Sequence, residues 1–462
     1  MSAGLPQFLV TTLTRDVELP FESRVVSAPP HVAVESRGGR VTVRPLRPGR
    51  GALHVEMAGE QSSVVTVSVF REREAFLVTA LCSNVHEGWD PSLHDRHPHR
   101  ECCGPGKRGH AFVHARRMER VLHGAGLPVT WMVDATVARD HRRDLLAWRA
   151  EHGDEIALMP PSRSHFNPLN WNTDRTAGET TAMVSSERQA LERAIGRPVT
   201  SLAIDQFIGS VGTHFAEAAE RLGFTALWGM GFDHAHCDTS MHHFGCPWDC
   251  YRPSRADFRI PGRDPRPLWV FPWTARDLIN TVRVPGGMSG AVMFSTDVDD
   301  ILFCQVAQHQ PDYLERLVAG LAANAADNDF LCVLIHQEDH DSWHEAGLEL
   351  YARLFAARPA ELTPATVGEV AAWLDITHPH PRQPSQRLRL EDPLLCKGQV
   401  AWTQPGVHRP SDWGPYPPHI FEWDVDRQVV RVEGEARPLR VIDYAAHHLV
   451  EETGAYPVEP LG

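Results

Sequence analysis

Nowhere in the 462 residues do about 18 apolar residues run together, so the sequence offers no helix able to span a membrane. The opening stretch MSAGLPQFLVTTLTRDVELPF has neither a basic start nor a continuous apolar segment before a small-residue cleavage site, and no secretory leader is expected. Positive charge is short: 45 Lys and Arg face 59 Asp and Glu, for a net charge of −14. Nucleic acid and anionic membrane are therefore disfavoured as partners, since both need a basic face. Small neutral or cationic substrates remain compatible. Cysteine is sparse and odd in number, nine in all, with Cys82, Cys304 and Cys332 inside apolar runs. Free thiols in a reducing cytoplasm are expected rather than a disulfide framework. The Gly-rich turn VPGGMSG (284–290) lacks a Lys-Ser/Thr ending and a following helix, which excludes a phosphate loop.

What is present is an ordinary globular composition, 42% hydrophobic and 23% charged, long enough for two or three domains. Histidine is the outlier at 27 residues, many of them beside acids in polar segments. Early in the chain RVTVRPL, ALHVEMA and SVVTVSVF alternate with period two, Val65, Val67 and Val69 on one face and Thr66 and Ser68 on the other. Short strands at this spacing predict a small all-β, immunoglobulin-like sandwich over residues 1–72. It could bind substrate, mediate an oligomer or brace the larger domain after it.

Over residues 73–376 strand-like and helix-like segments alternate. The strand candidates are 76–82, 128–134, 155–159, 199–204, 224–230, 290–295 and 330–335. Met118, Val121, Leu122 and Ala125, and again Leu314, Leu317, Val318 and Leu321, carry helical spacing. Gly126 and Gly153 precede strands where a left-handed helix cap is needed. The fold class is α/β: about seven parallel strands in a distorted (β/α) barrel. Two long polar stretches, 86–110 and 233–267, interrupt the repeat and suit binding loops. Residues 377–462 read as a C-terminal extension packed on the barrel, with strand-like pieces in QVVRVEG and LRVIDYA.

The succession LPVTWMVDA, LLAWRAEHGDEIALM, ALERAIGRPVTSLAIDQFIGS, AERLGFTALWGM and LCVLIHQED resembles the polysaccharide deacetylase (NodB-like) superfamily, within the wider grouping of deacetylase and glycoside hydrolase barrels. The resemblance covers about residues 76–374. It implies a divalent metal, usually zinc, and attack by metal-bound water on an N-acetyl group of an amino sugar. In the family two aspartates follow the first strand, whereas TALCSN puts Leu81 and Cys82 there. A pair of metal histidines follows a later strand, whereas GDEIALMPPSRSH puts Met159 at the first and leaves only His165 downstream. The arginine of the third motif falls on Asp205. Only LIHQED matches cleanly, its His336 standing where the family has a general acid. The usual metal triad is absent.

Read directly, the strand ends carry His86, Glu87, Asp134, His165, Asp205, Asp233, His234, Asp297, His336 and Glu338. Loops at the C-terminal ends of parallel strands converge on one mouth, and so many ionisable groups need partners or a metal there. Three solutions stay open. A divalent metal, zinc by preference, could sit on His86, Asp205 and His336, with Asp90 or His234 as further donors and Glu338 as base. Alternatively, Asp205 with Glu338 or Asp134 could work as a carboxylate pair, as in glycoside hydrolysis or a lyase, isomerase or cyclase reaction. Or the barrel binds a ligand without turnover. Asp134, His165, Trp228, Asp233, His234, Arg252 and Asp297 are the candidates for contacting a small-molecule substrate such as a sugar derivative. HDRHPH (94–99) could hold a surface metal, and Cys246 and Cys250, with Cys237, Cys102 and Cys103, a structural zinc. Arg252, Arg255 and Arg259 suit either an anionic substrate group or neighbouring acids.

Overall fold

The structure, a computed structural model, describes residues 5–19, 23–37, 40–57, 63–83, 108–160, 176–204, 210–230, 248–256, 258, 261–262, 264–272, 274, 312–338, 345–380, 385–392, 419–424, 429–433, 440–443 and 458–460. Strands β1 (Phe8–Thr12), β2 (Val17–Glu18), β3 (Ser23–Ser27), β4 (Val32–Arg37), β5 (Arg40–Pro45), β6 (Gly49–Met57) and β7 (Ser63–Phe70) form two sheets, ordered β1-β7-β6-β3 and β2-β5-β4. One apolar cluster joins the sheets, with Val41, Val43, Leu53, Val55, Val65 and Val67 fully buried. The alternation in β7 is as expected, yet its polar face is buried too. Thr66 and Ser68 abut the barrel, and the Ser68 hydroxyl donates to Glu369 at 2.6 Å.

The second region alternates β8 (Glu74–Ser83), α1 (Arg108–Gly124), β9 (Val129–Val133), α2 (Ala135–Asp140), α3 (Arg142–His152), β10 (Glu155–Leu158), α4 (Ala177–Ile195), β11 (Ser201–Ala203), α5 (Ser210–Leu222), β12 (Ala226–Met230), β13 (Trp269–Pro272), α6 (Tyr313–Ala322), β14 (Phe330–Glu338), α7 (Glu345–Ala356), β15 (Leu362–Ala365) and α8 (Val367–Thr377). Seven strands run parallel in the order β13-β12-β11-β10-β9-β8-β14, and β15 pairs with the first half of β8. This is the expected nearly closed barrel. Six of the seven anticipated strands coincide with it, while 290–295 lies outside the described residues. β13 and β15 are strands the sequence did not suggest, each short and containing a proline. Gly126 and Gly153 have φ of 72° and 77°, as their places before strands require.

Each strand divides its side chains between two cores. Leu77, Leu81, Leu331, Val333 and Ile335 face the helices, while Phe76, Val78, Ala80, Cys332 and Leu334 face the interior. Among the described residues no ladder joins β13 to β14. A short backbone bridge and two side chains span that gap instead. Tyr251 exchanges two backbone hydrogen bonds with Val270 of β13, at 3.2 and 2.8 Å. Two residues earlier, the Asp249 carboxylate accepts from the Cys332 amide of β14 at 2.9 Å. The Thr274 hydroxyl donates to the Leu334 carbonyl at 3.2 Å and accepts from the Leu334 amide. Part of the long polar stretch 233–267 is thus barrel wall rather than binding loop.

The lower end of the barrel, where the strands begin, is stoppered by α8. Val370, Trp373 and Leu374 are fully buried in the interior cluster. The helix starts there because Thr366 and Glu369 form a reciprocal capping box. Its first amides are held by the barrel: Val367 donates to the Thr130 hydroxyl at 3.0 Å and Gly368 to the Glu155 carboxylate at 2.8 Å. Arg50 of β6 then clamps the arrangement, its Nε 2.9 Å from Glu369 and its Nη1 donating to the His152 carbonyl at 2.6 Å.

The C-terminal region forms an antiparallel sheet of β16 (Gln386–Leu390), β17 (His419–Asp424), β18 (Val429–Glu433), β19 (Arg440–Asp443) and β20 (Val458–Pro460). Leu388, Leu390, Phe421 and Trp423 of this sheet join the outer core of the barrel. The edge of β16 is covered by two asparagine side chains. Asn328 pairs with the Arg387 amide and carbonyl at 2.9 and 2.8 Å, and Asn324 with those of Arg389 at 2.7 and 3.2 Å. No described helix is long and apolar enough to cross a membrane.

Candidate functional site

The mouth of a parallel barrel lies at the C-terminal ends of its strands, and β14 runs beside β8 almost to the end of that strand, with Glu338 opposite Cys82. Its buried apolar run, FLCVLI, forms a strand because it can be covered on both faces. Cys332 and Leu334 point inwards, and the two-residue period of the strand puts positions 336 and 338 in the same row. Across the ladder their Cα partners are Ala80 and Cys82 of β8, and Ala80 is itself a buried interior residue. The backbone of β14 thus carries His336 and Glu338 at its upper end, opposite Ala80 and Cys82 of β8.

Five sequence candidates, Asp134, Trp228, Cys250, Arg252 and Arg255, have described side chains. Asp134 follows β9 and caps α2: its Oδ1 accepts from the Thr136 and Val137 amides at 2.6 and 2.8 Å, and its side chain is fully buried. The extended backbone of Asp134 and the helix behind it explain this placement. Trp228 is buried in the interior cluster. Arg252 donates to Asp375 at 2.9 Å and stacks 4.4 Å over Trp269, whose indole N–H donates to the same carboxylate oxygen. Arg255 pairs with Glu220 at 2.8 Å, so both arginines have acidic partners within the fold. His86, Asp90, His165, Asp205, Asp233, His234, Asp297 and Arg259 lie outside the described residues, as do Cys102, Cys103, Cys237, Cys246 and the segment 94–99.

The family's metal triad does not fit the residues present. Met159, at the position of its first metal histidine, is buried in the interior cluster, and Leu81 packs on the helix side of β8. Neither offers the nitrogen or oxygen donor that zinc takes in such sites.

Among the described residues, two groups of donors do converge, and the sequence pointed to neither combination, although Cys250 was a candidate for a structural zinc with other cysteines. One is Asp249, Cys250 and Cys332, all buried, in the bridged gap below the mouth. Burial pushes the Asp249 carboxyl up to about 7 although the Cys250 and Cys332 amides stabilise its charge. Neither cysteine is in a disulfide, and burial raises both thiols too. Cys250 thus lies in the barrel wall beside Cys332. The other group is Glu119, His123 and His152, on the helices outside the lower part of the barrel. A third buried acid, Glu155, has its pKa raised by burial against hydrogen bonds from Ser201, Gly368 and Thr130.

No family model matches this sequence, and no curated protein matches it. Solved structures do. A crystal structure from Parabacteroides distasonis, carrying the provisional name glycoside hydrolase/deacetylase, aligns with a TM-score of 0.53 at 14% identity, over 81% of this chain and 86% of its own. The Puue allantoinase aligns at 0.41 and 15% identity, over 67% of this chain and 93% of its own. A Pseudomonas aeruginosa PAO1 protein provisionally named a polysaccharide deacetylase aligns at 0.41 and 14%, over 67% and 93%. The fold is that of the deacetylase-like (NodB-like) barrels.

Proposed function

We propose that this chain is a hydrolase acting at the barrel mouth on a small carbohydrate-like or amide-bearing substrate. The observation that carries the reading is the position of His336 and Glu338 at alternate residues of the last stretch of β14, within a barrel that shares its fold with a deacetylase-like structure. A histidine there could either donate a proton to a leaving amine or alkoxide or, as a metal ligand, leave proton transfer to the carboxylate two positions on, which is suited to accept one from water. Trp228 supplies an apolar wall of the kind on which sugar rings rest.

With the family's donor positions unsuited to a metal, the proposed ligand set is His86, Asp205 and His336, which are imidazole and carboxylate donors of the kind zinc accepts. A divalent metal held there would polarise the scissile carbonyl. Residues His165, Asp233, His234 and Asp297 follow strand ends in the sequence and are proposed to contact substrate. The apolar Leu81 and Met159 favour one second reading, a metal-free reaction run by the carboxylates Asp205 and Glu338. We place the protein in the cytoplasm, on the strength of the buried Cys250 and Cys332, neither of them in a disulfide.

The test is metal content and turnover measured together. Purified wild type, His86→Ala and His336→Ala are assayed by elemental mass spectrometry, and for acetate release from acetylated amino sugars and from acetylated sugar esters. Acetate release with a metal lost in both variants supports the first reading. Turnover with no metal moves the chemistry to the carboxylates, and no turnover on any acetylated sugar sinks the deacetylase form of the proposal.

A further inference from the structure

We propose that Glu119, His123 and His152 form a second divalent-metal site, for zinc or a metal of similar preference, outside the lower part of the barrel and away from the mouth. Glu119 and His123 are one turn apart on α1, so both project from one side of that helix, and His152 closes α3. Donor atoms of the three lie within 4.8 Å of one another. The His123 Nδ1 is 2.8 Å from the Glu119 Oε1. Two donors each about 2.0–2.1 Å from a tetrahedral zinc stand about 3.4 Å apart, so this pair needs to open by only about half an ångström.

The other side of the His123 ring is built as metal-bound imidazoles commonly are. The fully buried Asp154 carboxylate faces Nε2 at 3.0 and 3.1 Å, which would hold a proton on that nitrogen and leave Nδ1 to bind once a metal displaces the proton it shares with Glu119. Asp154 is held in turn by the Val129 amide at 3.1 Å and the Trp131 indole at 2.5 Å. This shell lies beneath the ring and leaves Glu119 and His152 as its outer neighbours.

His152 stacks on His123 with ring centres 3.6 Å apart and planes 15° from parallel. Stacked rings cannot both aim in-plane lone pairs at one ion, so binding requires His152 to rotate. It has room, since its side chain is 34% exposed. It also lines a cleft of about 480 Å³ between the N-terminal sheet and the barrel, with Arg50, Glu74 and Glu151 on the same walls. The cleft supplies the access path and space for a fourth ligand. Without metal a proton takes the ion's place. Burial opposes a charge on His123, but Asp154 and Glu119 outweigh it and raise its pKa, while burial and the His123 charge lower that of His152.

The probe is cobalt(II), titrated into the full-length chain and followed by calorimetry and by its visible ligand-field bands. Wild type is compared with His152→Ala, Glu119→Gln and His336→Ala, each checked by circular dichroism. The expected result is that one equivalent is lost, or weakened at least tenfold, in His152→Ala and Glu119→Gln, and is retained in His336→Ala. Unchanged stoichiometry and affinity in the first two would overturn the site. So would loss of the same equivalent in His336→Ala, which would assign the ion to the mouth. His152→Gln, which keeps a polar side chain at the helix end, repeats the measurement if His152→Ala is misfolded.

Discussion

The side-chain amide of Gln7 and the backbone of Ile156 exchange two hydrogen bonds, each 2.9 Å long. Gln7 thus pairs with the beginning of β10 as a residue of a neighbouring strand would, and its Nε2 also donates to the Pro198 carbonyl at 3.1 Å. The contact is buried and joins segments 149 residues apart. Gln7→Ala leaves the Ile156 amide and carbonyl without that partner, at a cost of about 1–3 kcal/mol. Denaturant unfolding should show a lower midpoint with an unchanged slope; an unaltered midpoint would mean that water replaces the amide.

Asp249 gives a pH signature. Its carboxyl is raised from 3.8 to about 7, so its favourable state is the protonated one. That contribution is complete below about pH 3.8 and is lost progressively as the pH rises to about 7, amounting to roughly 4 kcal/mol. Asp249→Asn cannot ionise. The stability of wild type relative to this variant should therefore fall between pH 4 and 7 and level off above. A pH-independent difference would show that the carboxylate is not penalised by its burial.

At the mouth, His336→Ala and Glu338→Gln should each lower kcat by at least about a hundredfold, the usual contribution of a proton-transferring group. Leu334→Ala, one row deeper in the same strand, should instead cost about 2–5 kcal/mol of stability. Kinetics and thermal melts on the three variants separate chemistry from packing. Full activity in both His336→Ala and Glu338→Gln would remove β14 from the reaction.

The paired asparagines at β16 predict an assembly effect. Replacing Asn324 and Asn328 together with alanine exposes the backbone groups of Arg387 and Arg389 along an open strand edge. The double variant should be destabilised by about 2–4 kcal/mol, at about 1–2 kcal/mol per site. It should also self-associate on light scattering at concentrations where wild type does not.

The barrel was readable where long-range order leaves a local trace. FLCVLI has to be buried, and Met118, Val121 and Leu122 repeat at the spacing of α1. β13 and β15 left no such trace, because four residues with a proline do not look like strands. The closure through Tyr251, Asp249 and Thr274 depends on partners 19 to 83 residues away and has no periodicity. Asp134 carries a readable signal, an aspartate directly before a helix, which points to a cap as readily as to a ligand. The pairing of Arg252 with Asp375 does not. Glu119 and His123 could have been noticed as a helical i, i+4 pair; that Asp154 sits behind the ring follows only from the turn between α3 and β10.

With α8 seated across its base, the barrel is floored at the end where its strands begin, Val370, Trp373 and Leu374 filling the interior there. Under the proposed function, substrate would enter and product leave at the opposite end, an arrangement that would suit short molecules and pendant groups better than the interior of an extended chain.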